Sequence, residues 1–264
     1  MSGQSESGQC GPAPIRARVT FEFDGYDLAA FLPVAAGFGE DRYGYVATPN
    51  VDGLIRVYED STFRDTYACA TFVLLDSRIA AAAFRLVHRV SVPVAPGSDL
   101  TAALLQEVIT PEDRIVLIGS SAEQAESVRE RYGLKHLIHH NPPMGFINDP
   151  AAVEEVLAFI ERASPFRFCL VAVGDPQGTL IAHRLAERGR ARGLTLIIGA
   201  SIDFITGKQR RTPRWMQRCG LEWLHRLLSN PRRLARRYLI RNPRFFAYVS
   251  RCRVNLRPPR PHER

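Results

Sequence analysis

From Arg114 onward, short apolar runs alternate with amphipathic stretches, and this pattern leaves few folds open. Residues 114–118, 135–139, 166–173 and 194–198 have strand length and are rich in apolar side chains. Residues 121–132, 150–162 and 177–192, which lie between them, carry apolar residues at helical spacing. A strand that is apolar on both faces must be covered on both, and a helix between two strands returns the chain to add the next one in parallel. The pattern predicts an α/β domain with a parallel sheet flanked by helices. Upstream the same grammar is looser. Residues 17–23 alternate like a strand, and residues 45–47 run into Thr48-Pro49-Asn50 and a helix start over 51–58. The apolar run 68–75 reads as a continuous strand ending at Asp76. An alanine-rich helix over 77–88 follows, then a helix over 100–108 capped by Ser98 or Asp99.

In such sheets ligands collect outside the carboxyl ends of the strands, so the strand-to-loop junctions are the candidate sites. These are Thr48-Pro49-Asn50, Asp76-Ser77-Arg78, Gly97-Ser98-Asp99, Gly119-Ser120-Ser121 and Gly174-Asp175-Pro176-Gln177. None is a G-x-G-x-x-G or Walker loop, which disfavours a dinucleotide enzyme or a P-loop NTPase. Ser121 with Gln124 is a capping box, sufficient by itself to explain that turn. By local pattern alone Asp76 is a helix cap as well.

Charge divides the chain. Residues 207–264 hold 17 Lys+Arg against two acids, out of 35 and 27 overall, so residues 1–206 hold 18 and 25. The net charge of +8 is therefore a body of about −7 joined to a tail of about +15. The shift near Gly207 is the one candidate boundary: a leader over 1–14, an α/β domain over 15–206 and a basic helical appendage over 207–264. In the appendage Trp215, Met216, Leu221, Trp223, Leu224, Leu227 and Leu228 recur at helical spacing among arginines. A basic helix with an apolar face suits a surface both apolar and anionic. A membrane leaflet is one such surface and nucleic acid another. The segment matches no nucleic-acid-binding motif, so no nucleic-acid partner is expected.

No apolar run approaches the roughly 20 residues that span a bilayer. The first 14 residues lack the basic and apolar regions of a secretory signal and read as disordered. Five scattered cysteines form no C-x-x-C pair, which suits reduced thiols and argues against zinc. Cys69 and Cys169 read as core residues inside apolar strands. His136, His139 and His140 have no nearby Asp, Glu or Cys set that would complete a metal site.

The tail resembles the closing signature of the WecG/TagA/CpsF family of bacterial glycosyltransferases (glycosyltransferase family 26). Arg211-Thr212-Pro213 is similar to its R-A-P element, and residues 220–227, GLEWLHRL, to G-L-E-W-L-Y-R-L. Asn230-Pro231-Arg232-Arg233 with Arg236-Arg237-Tyr238 resembles E-P-x-R…R-R-Y. Upstream, residues 199–207 are similar to G-x-x-F-D-F-x-x-G, Thr48-x-Asn50 to T-x-N, and residues 141–145 to a P-P-x-G loop.

This resemblance implies a Rossmann-like α/β fold with a C-terminal membrane-binding appendage. It also implies inverting transfer of a sugar from a UDP-sugar to an undecaprenyl-diphosphate-linked sugar, in exopolysaccharide or other cell-surface polysaccharide synthesis. The family's D-G motif falls on Asp76-Ser77, which makes Asp76 the expected general base. Thr48, Asn50, Gly97, Ser98, Asp99, Gly174, Pro176, Gln177 and Asp203 become candidate substrate-binding residues. Arg211, Arg226, Arg233 and Arg237, with Trp215 and Trp223, become candidates for the acceptor diphosphate and the membrane. No cofactor or metal is expected, and the location implied is the cytoplasmic face of the inner membrane. Three positions depart from the family pattern. Its Gly after the Asp is Ser77, a family Arg falls at Val94, and the Gln-Glu of G-x-P-x-Q-E are Gly178 and Thr179. The last change leaves open a member that has lost catalysis and serves as an assembly partner.

Overall fold

A computed structural model describes residues 18–209, 212, 213, 216, 219 and 221–259, apart from the side chain of Arg233. The leader over 1–14, Arg211 and Trp215 lie outside the described residues. The centre is a six-stranded, fully parallel sheet in the order β3-β2-β7-β6-β4-β5. Its strands are β2 (Tyr43–Ala47), β3 (Phe72–Val73), β4 (Arg114–Ile118), β5 (His136–His140), β6 (Phe168–Val171) and β7 (Gly193–Ile197). The side chains alternate as a pleated strand requires, yet both directions are apolar. Ile115, Leu117, Leu170, Leu194 and Leu196 enter the core on one face, while Val116, Ile118, Cys169, Val171 and Ile197 enter cores on the other. The fold is α/β and Rossmann-like.

Helices cover both faces. They are α1 (Leu28–Ala36), α2 (Val51–Glu59), α3 (Ser61–Ala68), α4 (Arg78–His88), α5 (Gly97–Ala103), α6 (Ala122–Tyr132), α7 (Pro150–Arg162), α8 (Gln177–Arg188) and α9 (Ser201–Ile205). Their starts are written locally. Asn50 Oδ1 accepts from the N–H groups of Asp52 and Gly53 (3.0 and 3.2 Å), Ser77 caps α4, and Ser121 with Gln124 forms the full capping box.

Several expectations are corrected. The run 68–75 is not one strand. Asp60 caps α3 through the N–H groups of Thr62 and Phe63, and this helix takes the run's first residue. Only Phe72 and Val73 pair with β2, and Cys69 is exposed rather than core. Leu75 instead bridges to Val94, which continues the sheet's margin. Helix α5 begins at Gly97 with Pro96 as its N-cap, so Ser98 and Asp99 sit inside its first turn. It continues through a π-helical turn over Leu104–Val108.

The largest correction concerns the end of the chain. A two-stranded parallel sheet joins β1 (Thr20–Asp24) to β8 (Arg253–Arg257), so the first and last described strands are neighbours. Between Gly207 and β8 lie α10 (Glu222–Ser229), α11 (Pro231–Ala235), a π-helical turn over Arg236–Arg241 and α12 (Arg244–Val249). Phe245, Val249, Cys252 and Val254 share one hydrophobic core with Phe21, Phe23, Phe84 and Ile55. Phe245 and Val249 are fully buried. The change of composition at Gly207 is thus not the edge of the core. Charge reports what faces solvent, and a few apolar residues spaced through a basic segment are enough to bind it to the body.

Candidate active site

Beyond the carboxyl ends of β2 and β3 the structure opens a cleft of about 440 Å³. Three loops and the tail enclose it. The loop after β2 contributes Asn50 and Asp52, the loop after β3 contributes Asp76 to Ile79, and the turn into α5 contributes Pro96, Ser98 and Asp99. The opposite wall is Glu222, Trp223 and Arg226 of α10 with Arg237, Tyr238, Leu239, Phe245 and Phe246.

Asp76 stands at the head of this cleft. Its backbone N–H donates to Pro49 O (3.0 Å), tying the two loops together. It is not the cap of α4. That role belongs to Ser77, whose Oγ accepts from the N–H of Ala80 (3.1 Å), leaving the Asp76 carboxylate free of the helix start. The Asp76 pKa is raised to about 7, first by burial and then by Glu222, with Arg226 and a backbone N–H from Gly97 acting in the opposite sense. The absence of a side chain at Gly97 matters here. A methyl group there would lie a tight 3.1 Å from Thr48 Oγ1 and in ordinary contact, 3.9 Å, with Asp76 Oδ2, so glycine lets the α5 turn approach Thr48 without displacing its side chain.

The cationic groups are held in place. Arg226 pairs with Glu222 one turn earlier (2.5 Å) and lies over the Phe204 ring at 5.7 Å. Arg237 donates to Asn50 Oδ1 (3.3 Å) and stands 3.8 Å from Asp52. Arg241 lies 3.3 Å from Asp52 and 3.8 Å from Glu59, and Arg244 lies 3.7 Å from Glu59. Tyr248 donates to Glu59 (2.8 Å) and stacks on Tyr58 at 4.1 Å. Part of the tail's positive charge is therefore matched by the acidic face of α2.

Of the residues singled out in the sequence, Asp76, Asn50, Ser98, Asp99, Trp223, Arg226 and Arg237 line one cleft. Thr48 and Gly97 stand directly behind it, with Thr48 Oγ1 donating to Ile197 O at 3.4 Å. Gly174, Pro176 and Gln177 are outside the lining. Next to them the Thr179 hydroxyl donates to Asp175 Oδ1 (2.5 Å), and Asp175 Oδ2 faces Gly53 at the start of α2. Asp203 is also outside. It accepts from Gln124 Nε2 (2.8 Å), joining α9 to α6. Sequence reasoning passed over Glu222, Asp52, Phe204, Tyr238 and Phe246 as site residues. The signal for Glu222 was available, because its spacing of four from Arg226 on a helix pairs them.

Chemically, the cleft offers a carboxylate that titrates near neutrality, beside a second carboxylate and two fixed guanidinium groups. One end is polar, and at the other end Leu239 and Phe246 are more than half exposed. Among the described residues no group of three or more His, Cys, Asp or Glu is placed to hold a metal ion, and no helix is long and apolar enough to cross a membrane. The model of the Glycosyl transferase WecG/TagA/CpsF family matches residues 19–259, which takes in every wall of the cleft.

Proposed function

Since the chain belongs to the WecG/TagA/CpsF glycosyl transferase family, a family of cell-surface polysaccharide synthesis, we propose that it is an inverting transferase acting between a UDP-sugar and an undecaprenyl-diphosphate-linked sugar. The observation that carries this reading is Asp76, a carboxylate with a pKa of about 7 at the head of a cleft walled by arginines. The acceptor hydroxyl oxygen attacks the anomeric carbon of the donor. Its proton passes to Asp76, and the bond to the nucleotide diphosphate breaks with its electron pair leaving on that oxygen. A single displacement of this kind inverts the anomeric centre. A base is most effective when its pKa lies near the working pH, which is where burial and Glu222 bring Asp76.

Arg226 and Arg237 supply positive charge for diphosphate groups, and a guanidinium held by a carboxylate keeps its fork oriented for that task. In this proposal they do the work that a divalent cation does in other transferases. Turnover should therefore be unchanged by excess EDTA. Loss of activity restored by magnesium would refute the metal-free mechanism.

The cleft's outer end suits a lipid-linked acceptor. Leu228, Leu239, Ile240 and Phe246 are exposed, with Arg232, Arg236 and Arg244 exposed among them. Such a surface lies naturally in the headgroup region of an anionic leaflet, which supports a peripheral position on the inner membrane face. The deciding experiment incubates the full chain with UDP-sugars and a prenyl-diphosphate-linked sugar, and reads UDP release together with product. Absence of turnover with every UDP-sugar would favour the assembly-partner role opened by Gly178 and Thr179.

A further inference from the structure

Helix α4 stands out in the acidic body. Residues 77–98 hold three arginines and no acid, although residues 1–206 as a whole hold 18 basic and 25 acidic residues. Ala80, Ala83 and Phe84 face the core. The opposite stripe, Arg78, Ala82, Arg85, Leu86 and Arg89, is exposed. Leu86 is 84% exposed and Val87 48%. Leaving a leucine so open between arginines gains nothing from the fold, because burial is where an apolar side chain contributes.

Two observations connect this stripe to the cleft. Phe84 packs edge-on against Phe245 of α12 at 5.8 Å, which sets α4 beside the tail. Arg78 and Ile79 line the same cleft as Leu239 and Phe246. A third observation separates α4 from the tail. Arg237, Arg241 and Arg244 have carboxylate partners on α2, whereas among the described residues Arg78, Arg85 and Arg89 have none.

We propose that α4 is a second membrane-docking element, so that the chain meets an anionic bilayer through a composite surface of α4 and the exposed apolar side chains of residues 228–246. This rests on the membrane reading of the tail given above. The unpaired arginines of α4 supply the electrostatic part of the contact, and Leu86 with Val87 supplies an apolar part, on the body side of the cleft mouth. A bilayer is the fitting occupant because the charge is one-signed and the apolar side chains alternate with it on one helix face.

The test uses the full chain and sedimentation with phosphatidylcholine vesicles, with and without phosphatidylglycerol. Arg85→Gln with Arg89→Gln should weaken binding to the anionic vesicles about 30-fold, as expected for two arginines near a charged surface. Leu86→Ser should reduce the binding that survives high salt. Neither change touches the cleft lining, so transfer to a short-chain, water-soluble acceptor should stay at the unaltered rate. Leu228→Ser with Ile240→Ser serves as the tail comparison. If the tail variant loses vesicle binding while the arginine variant keeps it, α4 has no docking role and the tail reading stands. If the unaltered chain ignores anionic vesicles, both readings fail. Tight binding of duplex DNA in place of vesicles, or a dimer that Leu86→Ser dissociates with vesicle binding intact, would likewise overturn the proposal.

Discussion

Asp76→Asn should lower turnover by about 10²–10⁴, the range over which a positioned base acts, while the affinity for donor nucleotide stays within a few-fold. The substitution keeps the size of the side chain and removes its negative charge together with its capacity to take a proton. In the unaltered protein, turnover should rise with pH and level off above about 7, as the carboxylate ionises. Stability should move the other way. A carboxyl whose folded pKa lies above its unfolded value near 3.8 binds its proton more tightly when folded. Its ionisation therefore costs folding free energy, a cost absent below about pH 4, growing between about 4 and 7, and complete above that. Asparagine carries no such cost. Thermal unfolding at pH 8 should show Asp76→Asn more stable than the unaltered chain, with the gap closing toward pH 4. Lower activity with higher stability is the signature of a group held in place for chemistry. A variant with a near-normal rate would end the assignment of Asp76 as base.

The second large effect concerns the tail's part in the fold. A chain cut at residue 206 loses β8, the partner of β1, and strips Phe245, Val249, Cys252 and Val254 from the core they share with Phe21, Phe23 and Phe84. It should be insoluble or molten rather than a folded body lacking an accessory. The point variant Phe245→Ala isolates the packing contribution. Phe245 is fully buried and meets Phe84 and Phe246 edge-on at 5.8 Å. Its truncation should cost about 3–5 kcal/mol and lower the midpoint of thermal unfolding by roughly 6–20 °C for a chain of this length. A 1–206 fragment with a cooperative transition and native circular dichroism would show that the core does not need the tail.

The second half of the body was readable because its signals are local. Residues 114–118 and 150–162 coincide with β4 and α7, and the capping box at Ser121 forms as written. Each depends on periodicity or on a side chain reaching the backbone three residues away. Residues 68–75 misled because an apolar run does not distinguish the end of a buried helix from a strand. The choice was made by Asp60, eight residues upstream. Helix α1 was not legible either. It carries Pro33 inside and is apolar enough to lack a marked polar face.

The site divides in the same way. The positions of Asp76, Asn50 and Ser98 at the carboxyl ends of strands follow from the strand–helix alternation, because a parallel sheet puts all those ends on one side. That Ser77 rather than Asp76 caps α4 could not be read, since either residue type serves as a cap and only the backbone geometry selects between them.

By itself, then, the sequence determined the α/β class, most of the elements after Arg114, the family, and a tail far more basic than the body. Only the tertiary structure decided where that charge goes. It sets Arg237, Arg241 and Arg244 against Asp52 and Glu59, leaves Arg78, Arg85 and Arg89 facing outward, and brings Glu222 and Arg226 to Asp76 across about 150 residues of chain. Composition counts charges along the chain, whereas their energies depend on distances in space, and those distances are set by the packing of a core that runs through both ends of the molecule.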